Sequence, residues 1–564
     1  MTVGLAPALA MDLRKAVTLM DQRRFAEARL LLEAAVRSGA NQGDARYLLG
    51  ATLRMLGDLA GAERELRGAL TLDPIRQDAA LELARLLNGL GRHQDVVVAT
   101  DRAVAIAQPR VGLLAERAKA FQALERMDEC LAERERAVAL QPGKSATLHN
   151  LAAALGDAGE AGRAEMTARA ALAAGGEAPE TWLVLARALQ AQNRFDDAQA
   201  AFGAALARRP DYAEALRDLA QLVWMRTGDL GAASAVLPAG QSAPLRLLRA
   251  RLHEYAGDIE GGYRALTVGP VAGDAVLEIT AAHLAAAFDP ELALTHALRA
   301  ETLAPGAELV VRKAIDAHLA AGLAEAALVR IEAARAQHPL DQGLLAAQWT
   351  AWRMLDDPRA AALYDYDAFV ADWPLDTPDG WTTLDSYLAD LTVALAELHG
   401  LHTHPLDQSL RHGTQTSANL LRSEHPAIQA FSAAIDGPIR RHMAFLGAGA
   451  DPVRARNTGG YRIKGMWSVR LRPGGFHVNH VHPQGWLSSA CYIELPAAVD
   501  AGDREGWLQF GQAGVPTPAA LEPEHFIRPQ AGRLALFPSY MWHGTAPFSG
   551  EGRRLTIAFD VLPA

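Results

Sequence analysis

Three histidines within six residues are the strongest chemical signal in this sequence. His477, His480 and His482 lie in GGFHVNHVHP (474–483), in a chain with only 18 histidines among 564 residues. Alternate residues of a strand share one face, so His480 and His482 can present a pair of metal ligands. His477 with Asn479 is the alternative pair. His543 follows the apolar run RLALFP about 60 residues later. Two ligands from one strand end and a third from this distant strand would occupy one side of a metal ion, which leaves its other positions open for a substrate and an oxidant.

Two adjacent arginines open the last apolar run, RRLTIAFDVL. Alternate residues from Leu555 onward form an apolar face, and Arg554 shares the opposite face with Thr556 and Ala558. These small neighbours leave room for a guanidinium to point inward and to bind a carboxylate through two hydrogen bonds. Arg553 is the alternative carboxylate-binding residue.

Short strand-like runs must position these residues. After residue 457 the runs are GMWSVRLR, WLSSACYIEL, GWLQFGQ, RLALFPS and RRLTIAFDVL. Gly and Pro turns separate them, which is typical of a small antiparallel sandwich or barrel. Two helical patterns precede the strands, LDSYLADLTVALAELHGL and HPAIQAFSAAIDGPIRRHMAFLG.

The first half of the chain repeats with a period of 34 residues. Small residues recur at this spacing at Gly50, Ala84, Ala118, Ala152, Ala186 and Ala220. The pattern predicts two antiparallel helices per repeat, with small residues at the closest helix contact, Gly or Asn at the turn and Pro after the second helix. It resembles the tetratricopeptide repeat family, which implies a curved solenoid whose concave face binds peptide or protein segments. About six repeats cover residues 11–240.

Four segments are expected along the chain. Degenerate helical repeats continue the solenoid over 241–356, and a linker follows at 357–380, where Asp, Pro and aromatic residues interrupt the pattern. The last domain covers 381–564, with a helical part at 381–456 and a β core at 457–564. A separate helical domain is the alternative for 241–356.

Composition excludes several classes of function. Half of the residues are hydrophobic and 21% are charged, as in a globular protein. The net charge of −10 gives no general attraction to nucleic acid or to an anionic membrane. Cys130 and Cys491 indicate no disulfide framework and fit a reducing cytoplasm. The N-terminal segment shows no signal peptide and no membrane span. The excess of Arg over Lys, with abundant Ala, is typical of a GC-rich bacterial gene.

The C-terminal motifs carry a second resemblance. QSLRHGTQT (408–416), HVHPQGWLSSACYIELP (480–496) and GRLALFPSYMWHGTAPFSGEGRRLTIAFDV (532–561) resemble a bacterial and phage branch of the Fe(II)- and 2-oxoglutarate-dependent oxygenases. This branch is often fused to tetratricopeptide repeats. The resemblance implies a multidomain chain, with an all-α solenoid followed by an α+β domain that has a double-stranded β-helix, or jelly-roll, core.

The resemblance also implies site residues. His480 and His543 match the two histidine ligands of Fe(II), whereas His482 stands where most relatives have Asp or Glu. His482 is therefore either the third ligand or a neighbour of an open position. Arg554 and Tyr492 match the residues that hold 2-oxoglutarate. Further candidates for contacts around the metal or the substrate are His477, Asn479, Trp486, Ser488, Gln408, Arg411 and Arg470.

The implied activity is hydroxylation of a C–H bond, coupled to decarboxylation of 2-oxoglutarate by O2. The leading hypothesis is a cytoplasmic enzyme that hydroxylates a protein or peptide side chain, with the solenoid binding the substrate. The alternatives are a hydroxylase of a small-molecule or carrier-bound substrate, and an inactive scaffold that binds other proteins. No nucleic-acid or membrane partner is expected.

Overall fold

The computed structural model describes residues 7–39 and 42–564. The chain forms two compact units, Met1–Gln192 and Asn193–Ala564. Residues 1–6, the start of the segment in which no signal peptide is expected, lie outside the described residues. No helix in the described part is both long and apolar enough to cross a membrane.

The first unit consists of paired helices. They are α1 (Pro7–Asp21), α2 (Phe25–Arg37), α3 (Gln42–Met55), α4 (Leu59–Leu72), α5 (Gln77–Gly89), α6 (His93–Val104), α7 (Val111–Ala123), α8 (Met127–Leu140), α9 (Ser145–Asp157), α10 (Ala161–Ala173) and α11 (Pro179–Ala191). Ala84, Ala118 and Ala152 are fully buried. At Gly50 a Cβ would lie 2.6 Å from Leu66 Cγ, so the 34-residue register marks positions where only small side chains fit.

The turns between paired helices follow the same register. Gly57, Gly91 and Gly159 have φ values of 83°, 71° and 81°, a region that glycine enters at little cost. Glu125 stands where the glycine register has its gap, and it takes the same left-handed conformation with φ 58°. Pro142 follows two residues after the end of α8, as expected for a residue that cannot continue a helix.

The second unit begins with further helices. They are α12 (Phe195–Arg208), α13 (Ala213–Thr227), α14 (Leu230–Ala235), α15 (Ala243–Tyr255), α16 (Ile259–Thr267), α17 (Ala275–Ala285), α18 (Pro290–Leu303), α19 (Glu308–Ala320), α20 (Ala324–Gln337) and α21 (Gln342–Met354). The predicted repeat segment 11–240 thus has helices in both units. Within 357–380, where we expected a linker, lie two short helices, α22 (Arg359–Leu363) and α23 (Tyr366–Phe369), and a strand that pairs with the sheet.

One antiparallel sheet of nine strands completes the unit. The strands are β1 (Ala371–Pro374), β2 (Leu410–Gln415), β3 (Tyr461–His480), β4 (Leu487–Glu494), β5 (Leu508–Phe510), β6 (His525–Ile527), β7 (Arg533–Pro538), β8 (His543–Thr545) and β9 (Arg554–Pro563). Their order is β1-β7-β4-β9-β3-β8-β5-β6, and β2 pairs with residues 469–477 of β3. All five predicted runs form strands. β1 and β2 lie before residue 457, where only linker and helices were expected.

Helices α24 (Leu384–Ala396), α25 (Pro426–Gln429) and α26 (Phe431–Leu446) complete the domain, and α24 and α26 share a buried core with the sheet. Leu555, Ile557, Phe559 and Val561 belong to this core, as the alternation of β9 predicted. The Phe431 ring of α26 meets Phe559 edge to face at 6.3 Å. The predicted fold class is confirmed: an all-α solenoid is followed by an α+β domain with a nearly barrel-shaped antiparallel sheet, consistent with a jelly roll.

Candidate metal centre

The three predicted metal ligands converge at one point. His480 ends β3, His543 begins β8, and the two residues are direct cross-strand partners. His482 lies two residues beyond the end of β3. The ring centres are 4.3 Å apart for His480 and His543 and 5.1 Å apart for His480 and His482. One nitrogen from each ring lies within 4.8 Å of the others, so the three imidazoles can bind one cation.

The hydrogen bonds of the three rings define which nitrogen is available. Nδ1 of His480 donates to Val478 O at 2.8 Å, and Nδ1 of His543 donates to Met541 O at 2.9 Å. Nδ1 of His482 lies 2.5 Å from a carboxylate oxygen of Asp560. When Nδ1 carries the proton and donates it in a hydrogen bond to its acceptor, the Nε2 of the same ring has a free lone pair. This is the arrangement that metal-binding histidines adopt.

Burial keeps the imidazoles of His480 and His543 neutral. It lowers the pKa of His480 to about 3 and holds the pKa of His543 well below its ordinary value. The cause is the cost of placing an imidazolium in a cavity shielded from water, and the neighbouring histidines add to it. A neutral imidazole is the form that binds a metal ion, so the site is prepared for a cation at neutral pH.

A β-bulge lies in β3 between His477 and His480. His477 pairs with Thr545 and His480 with His543, so three steps on β3 match two on β8. His477, His480 and His482 all line the same cavity, whereas Asn479, the partner of His477 in the alternative pair, does not line it. Asn479 instead bonds Gln512 on another surface, Nδ2 to Oε1 at 2.8 Å.

Arg554 is the arginine that reaches the cavity. Its side chain is fully buried, and its Nε donates to Gly506 O at 3.2 Å. No carboxylate of the described residues pairs with it, and burial lowers its pKa. Arg553 points outward and pairs with Glu494 at 2.7 Å. An unpaired buried guanidinium is costly, and a bound carboxylate would offset that cost.

Tyr492 lies behind Arg554 and does not line the cavity. The guanidinium carbon of Arg554 is 5.3 Å from the centre of the Tyr492 ring. The Tyr492 hydroxyl is buried and makes no hydrogen bond of good geometry within the described part of the chain. Its contact is therefore with the arginine, which it helps to position.

The polar segment before β3 reaches the cavity. Gln408 and Arg411 both line it. The Ser409 hydroxyl lies 2.9 Å from His477 Nδ1 and 3.3 Å from His480 Nε2. Most of this segment is strand β2, because residues 410–415 pair with β3. The pairing fixes these side chains beside the histidines.

Three other sequence candidates face elsewhere. Arg470 follows Val469 on β3, and since alternate residues face opposite ways it points out of the cavity and donates to His399 O at 2.8 Å. The Trp486 indole is buried in the core and donates to Val453 O at 2.9 Å. Ser488 does not line the cavity, but its hydroxyl donates to Asp560 Oδ1 at 3.2 Å.

Asp560 is the main residue that the sequence analysis missed. Arg554, Thr556 and Ala558 all line the cavity, as the alternation of β9 predicted, and Asp560 is the next residue on that face. One further step of the same alternation would have found it. Its position beside His482 places a carboxylate next to the metal centre.

The wall opposite the sheet was also missed, and helices of the second unit form it. Glu254, Tyr255, His283 and Lys313, from α15, α17 and α19, border the same cavity of about 710 Å³. His283 Nε2 is 2.9 Å from Glu254 Oε1, and the Lys313 ammonium is 3.4 Å from His283 Nδ1. The Arg411 guanidinium lies over the Tyr255 ring at 5.4 Å. The cavity that contains the histidines therefore has walls from both the sheet and the helices.

The backbone packs tightly at Gly544, beside the candidate metal centre, and this contact predicts an effect on stability. A Cβ at Gly544, next to His543, would overlap Asn479 Oδ1 and lie 2.9 Å from the His477 carbonyl oxygen. We expect Gly544→Ala to destabilise the second unit by about 1–3 kcal/mol, the usual cost of overpacking. Thermal unfolding monitored by circular dichroism measures this effect.

Gly203 supplies the matched control. It is exposed in α12, and a Cβ there meets nothing within 4 Å. Gly203→Ala should raise stability by about 0.5–1 kcal/mol, because alanine loses less backbone entropy in a helix. Equal unfolding temperatures for the two variants would contradict the close contact at Gly544.

Comparisons with known proteins agree with this architecture. The family model described as "Putative 2OG-Fe(II) oxygenase" matches residues 465–560. The model described as "Tetratricopeptide repeat" matches residues 13–74 and 183–244. A search of the curated proteins found no match.

Three of the solved structures that are similar to parts of this chain are the following. A tetratricopeptide repeat protein from Parabacteroides merdae ATCC 43184 is 15% identical, covering 45% of this chain and 99% of that chain with a TM-score of 0.35. The MamA protein is 18% identical, covering 31% and 94% with a TM-score of 0.29. A thermophilic repeat protein from Thermus thermophilus, TTC0263, is 23% identical, covering 32% and 98% with a TM-score of 0.26.

The 465–560 match contains both the paired histidines and Arg554, and the two repeat matches bracket the 34-residue register. The chain therefore joins tetratricopeptide repeats to a domain whose residues 465–560 match the family described as "Putative 2OG-Fe(II) oxygenase".

Proposed function

We propose that this protein is an Fe(II)- and 2-oxoglutarate-dependent dioxygenase that hydroxylates a side chain of a protein or peptide. The observation that carries the proposal is the convergence of three Nε2 lone pairs in the cavity that also holds the unpaired guanidinium of Arg554. The oxygenase family match supports the reaction class. The repeats support a protein substrate, since such repeats generally bind peptides.

His480, His482 and His543 would hold the metal, and their donor set fits it. When bound, Fe(II) supplies the oxidation of a substrate C–H bond by O2, coupled to the conversion of 2-oxoglutarate to succinate and CO2. The chain's own contribution is to hold three imidazoles whose Nδ1 atoms each face a hydrogen-bond acceptor. No ring has to turn when the metal arrives.

Arg554 would bind the far carboxylate of 2-oxoglutarate. Its burial means that the ion pair forms in a medium of low dielectric, where a charge-assisted hydrogen bond is strong. Thr556 and Ala558 follow it on the same face of β9 and leave the path from the guanidinium to the histidines open. In this proposal the cosubstrate would lie along β9.

The substrate would lie between the histidines and the wall formed by the repeat helices. Glu254, His283 and Lys313 form a connected polar row on that wall. A peptide in the cavity can exchange hydrogen bonds with this row while one of its side chains points towards the metal. This geometry joins the repeats to catalysis more directly than recruitment at a distance.

Succinate formation tests the proposed reaction. Full-length protein is incubated with Fe(II), 2-oxoglutarate, O2 and a bacterial proteome, and succinate and oxidised peptides are measured by mass spectrometry. We expect iron-dependent succinate, with peptides that gain the mass of one oxygen atom. Absence of succinate above the iron-free control would refute the enzyme and leave a scaffold. Succinate without any oxidised peptide would favour a small-molecule substrate.

Lys313→Glu tests the role of the helical wall. Reversing this charge beside His283 should reduce the yield of oxidised peptides by roughly tenfold, the effect of losing one charge-assisted hydrogen bond of about 1.5 kcal/mol. Succinate formed without substrate should not change, because Lys313 is neither a proposed metal ligand nor the proposed carboxylate-binding residue. Both yields come from the same mass-spectrometric assay.

Arg264→Glu is the matched control, since this arginine lies on α16 with a side chain 68% exposed and outside the cavity. The control should give the wild-type peptide yield. A Lys313→Glu protein that oxidises peptides as well as the control would show that the substrate does not contact this wall.

A further inference from the structure

The charge of the candidate metal centre depends on whether only its three histidines are counted or also the residues that contact them. Three neutral imidazoles leave a divalent cation one unit more positive than two imidazoles and a carboxylate. The structure places a carboxylate one residue further out, because Asp560 Oδ1 lies 2.5 Å from His482 Nδ1. Together His482 and Asp560 carry the same net charge as a carboxylate ligand.

The position of Asp560 is set by the strands around it. On β9 it stands directly opposite Ser488 of β4. The Ser488 hydroxyl donates a hydrogen bond to Asp560 Oδ1, and the Ser539 hydroxyl oxygen lies 2.9 Å from the Ser488 hydroxyl oxygen. Both serines are fully buried. Such a chain of hydrogen bonds holds the carboxylate in one orientation towards His482.

The position of His482 is set by backbone contacts. Its amide donates to Ser539 O at 3.0 Å, and its carbonyl accepts from Gly485 N at 3.1 Å, which closes a turn. The ring lies nearly parallel to Trp467, at 6.2 Å between centres. The ring is therefore held between Asp560 on one edge and His480 on the other.

The inner edge of the His482 ring faces the ring of His480. Nε2 of His482 and Nε2 of His480 are 3.2 Å apart. Since both Nδ1 protons are donated outward, two lone pairs face each other at this distance. They repel unless a proton or a metal ion lies between them, and the adjacent carboxylate stabilises a positive charge there.

We infer that Asp560 is a positioning residue that acts through His482: it fixes the Nδ1–H tautomer and supplies the negative charge that a carboxylate ligand would otherwise bring to the metal. The inference rests on the proposed function, since it assigns His482 as the third ligand. It explains how a histidine can stand at that place without leaving the centre one charge too positive.

Anaerobic titration of the full-length protein with Fe(II) alone, and with Co(II) alone as a spectroscopic probe, tests this role. Asp560→Asn keeps the shape but removes the charge, and its amide can donate to Nδ1 and so favour the wrong tautomer. We expect metal affinity to fall by about 10- to 100-fold, as for other residues that orient a metal ligand. The visible bands of Co(II) should shift, and Asp560→Glu should restore part of the affinity.

A double-mutant cycle separates this role from a general structural one. In a His482→Asp background the carboxylate is a direct ligand, and Asp560 then repels it. Adding Asp560→Asn to that background should leave affinity unchanged or improve it. The matched control, Asp436→Asn, removes an acid that bonds Arg440 and Tyr461 outside the cavity, and should bind metal like the wild type.

Three outcomes would overturn the inference. One is wild-type Fe(II) affinity in Asp560→Asn, and another is an equal loss on adding Asp560→Asn to wild type and to His482→Asp. The third is wild-type affinity in His482→Ala together with a loss in Asp560→Asn, which would make Asp560 itself the ligand. Failure of the proposed function looks different, because His480→Ala and His543→Ala would then retain the metal.

Discussion

Replacement of His480 or His543 by alanine is expected to abolish Fe(II) binding under anaerobic conditions. Each ring supplies an Nε2 lone pair whose direction is fixed by an Nδ1 hydrogen bond to a backbone carbonyl. Replacing a residue that only orients a metal ligand lowers metal affinity by about 10- to 100-fold, so replacing a ligand itself should lower the affinity by more than about 100-fold. Iron-dependent succinate formation should disappear with the metal. Calorimetric or spectroscopic titration measures the affinity.

His525→Ala is the control for these variants. This histidine of β6 is partly buried and stacks on Tyr366 at 4.9 Å, outside the cavity. The His525→Ala protein should bind Fe(II) like the wild type, although its free energy of unfolding falls. Wild-type affinity in either His480→Ala or His543→Ala would remove the centre as the iron site, whatever the other variants show.

Replacement of Arg554 by methionine should abolish binding of 2-oxoglutarate while leaving Fe(II) binding intact. Truncating one partner of a buried charge pair costs about 2–5 kcal/mol, which is roughly 30-fold to a few thousand-fold in affinity. The methionine side chain fills most of the volume of the arginine side chain. The substitution also removes a buried positive charge that has no acidic partner among the described residues. The thermal midpoint of the variant without ligand should therefore fall little.

The shift of the thermal midpoint on adding 2-oxoglutarate measures this effect without turnover. The wild-type protein with Fe(II) should gain stability, because the ligand binds only the folded state, and Arg554→Met should not. Arg553→Met is a control from the adjacent residue, since its surface pair with Glu494 is worth at most about 1 kcal/mol. A ligand-induced shift in Arg554→Met equal to that of the control would contradict the assignment.

Much of this architecture could be predicted because it depends on local periodicity. The 34-residue register predicted the small residues between paired helices, and the structure buries Ala84, Ala118 and Ala152 where only small side chains fit. The alternation in RRLTIAFDVL predicted which side of β9 faces the core. Both patterns repeat at intervals set by backbone geometry, so they can be recognised without knowing what packs against them.

The errors arose where pairing with a distant strand changes the local pattern. The bulge between His477 and His480 is set by the pairing of β3 with β8 and cannot be read from the local alternation. Segments 371–374 and 410–415 form strands because β7 and β3 supply their hydrogen bonds. Composition alone indicated a linker and a helical part.

For the metal centre, the sequence by itself determined the residue types, their spacing and the face of β9 that carries Arg554. Only the tertiary structure decided that Asp560 lies against His482 and that α15, α17 and α19 close the cavity. The physical reason is that a pKa, a tautomer and a cavity wall depend on what lies within a few ångströms. Residues 78 positions apart, such as His482 and Asp560, become neighbours only when the sheet has formed.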